Sequence, residues 1–127
     1  MHSFSVRTLR HTQFLDVTQE VQSALTGLGI KDGVLTIFVP HTTAGITINE
    51  NADPDVTADI ADALDRAVPW QANYKHGEGN AAAHVKASLM GSAVQVLVEN
   101  GRLLLGTWQA IYLCEFDGPR SRNVWVR

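Results

Sequence analysis

Between residues 33 and 50 the chain sets two strands back to back with no helix between them, and this constrains the fold more than any other feature. The run VLTIFV at 34–39 is rich in β-branched and aromatic residues, which suit a pleated surface. Pro40 stops it, because proline cannot donate to a sheet ladder. Directly afterwards Ala44, Ile46 and Ile48 alternate with Thr43, Thr47 and Asn49, giving one apolar and one polar face with His41 at the mouth. A regular alternation of strand and helix is missing, which argues against a doubly wound parallel sheet.

The flanking sequence supplies the other elements. Phe4 and Val6 alternate with polar neighbours over residues 2–10, predicting a half-buried opening strand. Thr18 is expected to cap a short helix with Val21, Leu25 and Leu28 on one stripe, closed by Gly27 and Gly29. Asp53 and Pro54 form a strong helix start, Val56, Ile60, Ala63, Leu64 and Ala67 follow at helical spacing, and Pro69 ends the run. Residues 70–78 carry no periodicity and read as a loop, after which Asn80 is expected to cap a third helix ending before Gly91. Residues 93–98 read as a strand, Asn100-Gly101 as a tight hairpin, and 102–116 as one long returning strand that Gly106 kinks or bulges. A turn at 117–120 should then send 123–127 back antiparallel. The sum is one α+β domain over residues 1–127, a mostly antiparallel sheet or sandwich-like layers with about three helices on one face.

Composition narrows the function. A net charge of -3 with scattered basic residues gives no general attraction to polyanions, so nucleic acid is not an expected partner. No apolar run approaches the length of a membrane helix, and the single cysteine, Cys114, cannot form an internal disulfide. With no basic-then-apolar leader at the start, the expected compartment is the cytoplasm.

Chemistry concentrates between His76 and His84, where two histidines, Glu78 and Asn80 fall within nine residues. Gly77 and Gly79 let the backbone approach a ligand closely, and a helix starting near Asn80 would offer free amides to a phosphate. For each of these residues alone a cap, a turn or a surface position is an equal explanation, but their joint occurrence favours a site. If a divalent ion binds, His41, His76 and His84 are the expected ligands, with Glu78 as a base or as a partner behind the ligands, although no standard zinc spacing is present. Residues 77–82 match the dinucleotide pattern G-x-G-x-x-A, but no buried strand precedes them, so no nicotinamide cofactor is expected. His2 and His11 sit in ordinary strand and turn contexts and are set aside. Alternation puts Gln109 and Glu115 on one face of the long strand, and Arg120 is the expected partner of Glu115, either as a structural ion pair or as part of a substrate site. Cys114 reads as a buried small hydrophobe.

Four stretches in order, HTTAGITINE at 41–50, HGEGNAAAH at 76–84, GTWQ at 106–109 and EFDGPRSR at 115–122, resemble the YjbQ family, named for secondary thiamine-phosphate synthase activity. The resemblance runs over nearly the whole chain. It implies a compact α+β fold, a homotrimer, and a site near subunit boundaries that holds a small phosphorylated molecule and a divalent metal, zinc before magnesium. It also implies a weak transferase activity joining a pyrimidine pyrophosphate to a thiazole phosphate. Carried over by position, His76, Glu78, His84 and Glu50 are the expected catalytic residues, and Asn49, Asn80, Gln109, Glu115, Asp117 and Arg120 the expected substrate-binding ones. Arg122, Lys75 and the helix start at Asn80 are further candidates for holding anionic oxygens. Two other functions share these residues: a metal or small-ligand binding protein, and a metal-dependent hydrolase with Glu78 as base.

Overall fold

A computed structural model describes residues 1–127 in full. In chain order the elements are β1 (His2–Arg7), β2 (Gln13–Asp16), α1 (Thr18–Leu28), β3 (Gly33–Phe38), β4 (Ala44–Glu50), α2 (Pro54–Ala67), α3 (Ala81–Met90), β5 (Ala93–Glu99), β6 (Arg102–Leu103), β7 (Gln109–Glu115) and β8 (Ser121–Val126). All strand pairs are antiparallel and they form two sheets, β1-β8-β3-β5-β6 and β2-β7-β4. The architecture is an α+β sandwich. The two back-to-back strands therefore never pair: β3 lies in the larger sheet and β4 in the smaller, and residues 39–43 carry the chain across. Pro40 ends the first ladder, and His41 sits in the crossing.

The main core lies between the sheets. Leu35, Ile37, Val96, Val98, Val124 and Val126 face it from the larger sheet, and Ala44, Ile46, Ile111 and Leu113 from the smaller. Val21 and Leu25 of the predicted α1 stripe complete it with Ala24, and Leu28, the third stripe residue, packs on its edge half-buried. Burying each such Val, Leu or Ile side chain stabilises the fold by about 1.5–3 kcal/mol. On its outer side the smaller sheet carries a second core, in which Ala110, Tyr112, Cys114 and Phe116 meet Ala83 and Ala87 of α3. Gly45 makes this close approach possible, since a Cβ there would lie 2.8 Å from the Gly91 carbonyl oxygen. The outer face of the larger sheet has no helix on it, and Phe38 and Trp125 stack there at 5.7 Å. No helix is long and apolar enough to cross a membrane.

Several local expectations need correction. Residues 102–116 are not one strand: β6 ends at Leu103, and the backbone N–H of Gly106 donates to Gln109 Oε1 (2.8 Å), closing a turn from which β7 enters the other sheet. The final strand likewise pairs with β1 and β3 rather than with β7. Thr18 lies inside α1 and does not cap it, because its hydroxyl donates to Asp16 Oδ1 and accepts the Ile111 N–H. Gly27 is helical, and the left-handed Gly29 alone closes α1. Asn80 precedes α3 but its side chain turns away from the helix to donate to Asp117. Strand β2 escaped sequence reading because only four residues form it, with Phe14 packing on one core and Leu15 on the other. The helices do not share one face, since α1 closes the main core while α3 covers the outside of the smaller sheet. Asp53 does cap α2 through the Asp55 N–H (2.9 Å), and Asn100-Gly101 does turn the β5–β6 hairpin with positive φ at both residues.

Candidate functional site

Packing α3 on β4 brings His84 to the crossing that carries His41. The two imidazoles line a cavity of about 280 Å³ together with Thr42, Ala87, Ser88 and Ser92. His76, in the loop before α3, sets its ring edge-on to His84 with centroids 5.2 Å apart, and Glu78 Oε1 stands 3.9 Å from His76 Nε2. His41, His84, His76 and Glu78 thus form a row running from the half-buried crossing to the exposed loop. The backbone N–H of Asn123 donates to His41 Nε2 at 2.8 Å, which fixes the neutral ring with its proton on Nδ1. Burial lowers the pKa of His41, and the Arg122 guanidinium lowers it further against the opposing pull of Glu115. His41 therefore presents an N–H donor at neutral pH.

Beneath His41 lies a buried ion pair. Arg122 donates to both oxygens of Glu115, Nε to Oε1 at 2.9 Å and Nη2 to Oε2 at 2.5 Å. The Thr8 hydroxyl (2.8 Å) and the Asp117 N–H (3.0 Å) complete the carboxylate's shell, and Arg122 reaches Thr43 Oγ1 at 2.8 Å. Burial pushes the Glu115 carboxyl up, but Arg122, Asp117 N–H and Thr8 outweigh it and hold it below the usual value. The expected partner Arg120 is elsewhere, donating to the Asp117 carbonyl (2.9 Å) and to Asp117 Oδ2 (3.2 Å). Alternation along β8 explains the exchange, since Arg122 points inward with Val124 and Val126, while Arg120 is still in the turn. Glu115 is 0% exposed and its oxygens are engaged, so it supports the site from below and reaches no cavity. Gly118 is required beside it: a Cβ there would run into the Arg10 carbonyl oxygen and lie 2.8 Å from Glu115 Cγ.

Asp117 joins this network to a second, wider cavity of about 670 Å³ lined by His11, Thr12, Asp65, Pro69, Trp70 and Asp117. Asn80 Nδ2 and Arg120 Nη2 both donate to Asp117 Oδ2, and His11 Nε2 stands 3.7 Å from Asp117 Oδ1. His11 also meets the Trp70 ring edge-on at 4.5 Å. Sequence reading set His11 aside, and nothing beside it in the sequence marks it; the Gly118 N–H donating to the His11 carbonyl (3.0 Å) shows how a distant turn brings it in.

Asn49, Glu50 and Gln109 are not brought to the histidines. In the β4–β7 ladder Glu50 pairs with Gln109 at one end and Ala44 with Glu115 at the other, six residues or about 20 Å away. Gln109 closes the Gly106 turn, and the Asn49 side chain accepts the Glu50 N–H (2.8 Å). No three His, Cys, Asp or Glu side chains are grouped so as to hold a metal ion. His41, His76 and His84 form a row rather than a cage, and the Asn123 N–H takes the Nε2 lone pair of His41. Within one chain these residues do not fit as a metal-ligand set.

The sequence model of the family described as UPF0047 protein YjbQ-like matches residues 2–127. The chain belongs to this family. UPF0047 relatives agree along their length: UPF0047 protein YugU of Bacillus subtilis is 49% identical over 128 residues, covering 100% of this chain and 97% of that protein. The UPF0047 protein of Methanocaldococcus jannaschii is 45% identical, covering 100% and 92%. In three dimensions the chain is similar to a crystal structure of a YjbQ/UPF0047 family protein from Clostridium acetobutylicum, with TM-score 0.97 and 56% identity over 100% of this chain and 98% of that one. A conserved hypothetical protein from Thermus thermophilus gives TM-score 0.93 at 43% identity, covering 100% and 98%. The UPF0047 fold and the antiparallel sandwich are thus the same architecture.

Proposed function

We propose that this UPF0047 protein is a cytoplasmic enzyme of phosphorylated small molecules. It binds a phosphate or pyrophosphate group in the cavity between His41 and His84, and the reaction is the thiamine-phosphate synthase-like transfer that the YjbQ resemblance implies. The observation that carries this reading is the meeting of His41 and His84 in one cavity with the hydroxyls of Thr42, Ser88 and Ser92. The His41 N–H and the hydroxyls of Thr42 and Ser92 suit anionic oxygens, while the Ser88 hydroxyl donates to the His84 carbonyl (2.9 Å), and the partial enclosure strengthens the hold. In the transfer, the bond between the pyrimidine methylene and the pyrophosphate oxygen breaks and the thiazole nitrogen forms the new bond to that carbon. His84 protonates the departing oxygen, the His41 N–H steadies the phosphate, and His76 with Glu78 orients His84 from outside.

Asn49, Glu50 and Gln109 enter this reading through assembly. In a homotrimer, the far end of the β4–β7 ladder of one copy would supply these residues to the histidine cavity of the next. The imidazoles of one chain do not surround an ion, and the transfer draws on His84 and His41 directly.

Turnover with the two thiamine precursors, followed by product analysis, tests the reading. His84→Ala is expected to lower kcat/KM at least tenfold and to weaken pyrophosphate binding, with the circular dichroism spectrum unchanged. Unaltered turnover in that variant overturns the assignment. Stoichiometric zinc in the purified protein, lost in a His41→Ala/His84→Ala double variant and unaccompanied by turnover, would establish a metal-binding protein instead, and water-derived products a hydrolase.

A further inference from the structure

Helix α2 has fourteen residues and none of them is buried. Its apolar side, Val56, Ile60 and Leu64, is only half-covered. Beyond its C-terminus residues 69–80 run without a regular element until α3, and they carry Trp70, His76 and Glu78. Packing holds this part of the chain at a few points, Leu64 and Trp70 against the edge of the second core and the buried Val68. Lys86 of α3 supplies what packing does not: it is 2% exposed, lies on the same helix side as Ala82, Ala83 and Ala87, and its Nζ bonds Asp65 Oδ1 of α2. Lysine is almost never fully buried without a partner. Asp65 is that partner, and is itself 60% exposed.

The pair is asymmetric. Asp65 is already open to water, whereas Lys86 is buried and has the Asp65 carboxylate as its counter-charge, so separating the two costs most on the Lys86 side, where a buried charge without a partner is strongly unfavourable. We infer that Lys86 and Asp65 form a latch that fixes the end of α2 and the 69–80 segment beside His84, and so act as positioning residues for His76 and Glu78. Lys86 follows His84 by two residues on α3, so one helix holds both the latch and the ring that His76 meets. The segment's further holds, Trp70 on His11, His76 on His84 and Asn80 on Asp117, are single side-chain contacts that depend on where the segment starts and ends. The latch fixes the start.

This inference rests on the proposed function only in counting His76 and Glu78 as part of the site. Its test uses neither substrate nor reaction: hydrogen–deuterium exchange and the imidazole proton resonances of the full-length protein in Asp65→Asn, Lys86→Met and Asp65→Glu variants. Both charge-removing variants are expected to raise amide exchange at least tenfold across residues 54–80 while β3, β5 and β7 stay protected. The His76 and His84 resonances should move toward those of solvent-exposed histidine, and Asp65→Glu should return both readouts to the wild-type pattern. Lys86→Met keeps the buried volume filled with an apolar chain, so it holds the fold where Asp65→Asn fails to. Exchange that rises uniformly through the sheets, or no local rise in Lys86→Met, overturns the latch. Absence of turnover in the wild-type protein, with the latch readouts as expected, overturns only the transferase reading.

Discussion

Two arginines flank the last turn, and which of them meets Glu115 decides what that carboxylate can do. Sequence proximity favours Arg120, yet the inward parity of β8 assigns the role to Arg122, and parity became readable only once β8 was known to lie in the other sheet. Glu115→Gln leaves the buried Arg122 without a counter-charge and is expected to cost about 3–5 kcal/mol, read by urea unfolding. A Glu115→Leu/Arg122→Met double variant should lose much less, since both charges leave together. The same pair sets an acid limit. The folded pKa of Glu115 is below its unfolded value, so its contribution is complete above the ordinary carboxylate range and is lost as pH falls through the lower folded value. His41, also lowered, acts in the same direction, because the unfolded chain takes up its proton first as pH falls through the ordinary histidine range. Unfolding midpoints measured from pH 7 downward should fall first with His41 and then with Glu115, and in His41→Gln only the second fall should remain.

Among the elements, those built on strong local chemistry were legible from sequence: the Asp53-Pro54 helix start, the Asn100-Gly101 hairpin and the alternation in β4 all stand. What escaped was change of sheet. Gly106 marks a kink in residues 102–116, but apolar residues on both sides of it read as one continuing strand rather than as two in different sheets, and β2 is too short to show a period. The histidine pair was legible in part, because His76 and His84 are close in sequence, whereas the meeting of His84 with His41 depends on how near α3 comes to β4. Gly45 governs that distance. Gly45→Ala places a Cβ 2.8 Å from the Gly91 carbonyl oxygen, and overpacking of this kind costs about 1–3 kcal/mol. The displaced α3 should carry His84 from His41, and calorimetry should register pyrophosphate affinity falling more than the loss of stability explains.

At the level of the whole molecule, the chain holds its candidate residues at two ends of one ladder, with His41 and His84 at one and Asn49, Glu50 and Gln109 at the other. A site shared between copies makes a specific prediction. His84→Ala and Glu50→Ala, each inactive alone, should regain part of the wild-type turnover when unfolded together and reassembled, because some mixed boundaries carry both intact halves. Mixtures that stay inactive would show that no site combines His84 of one copy with Glu50 of another. Light scattering on the same samples should give three chains per particle.

Cys114 sits in the second core with 0% exposure, and burial pushes its thiol far above the ordinary range. It is the chain's only sulfhydryl, and α3 lies over the sheet face that holds it. A thiol-specific reagent therefore finds nothing to modify until that helix lifts. The rate at which the native protein takes up one label becomes a clock for the opening of the same layer that carries His84.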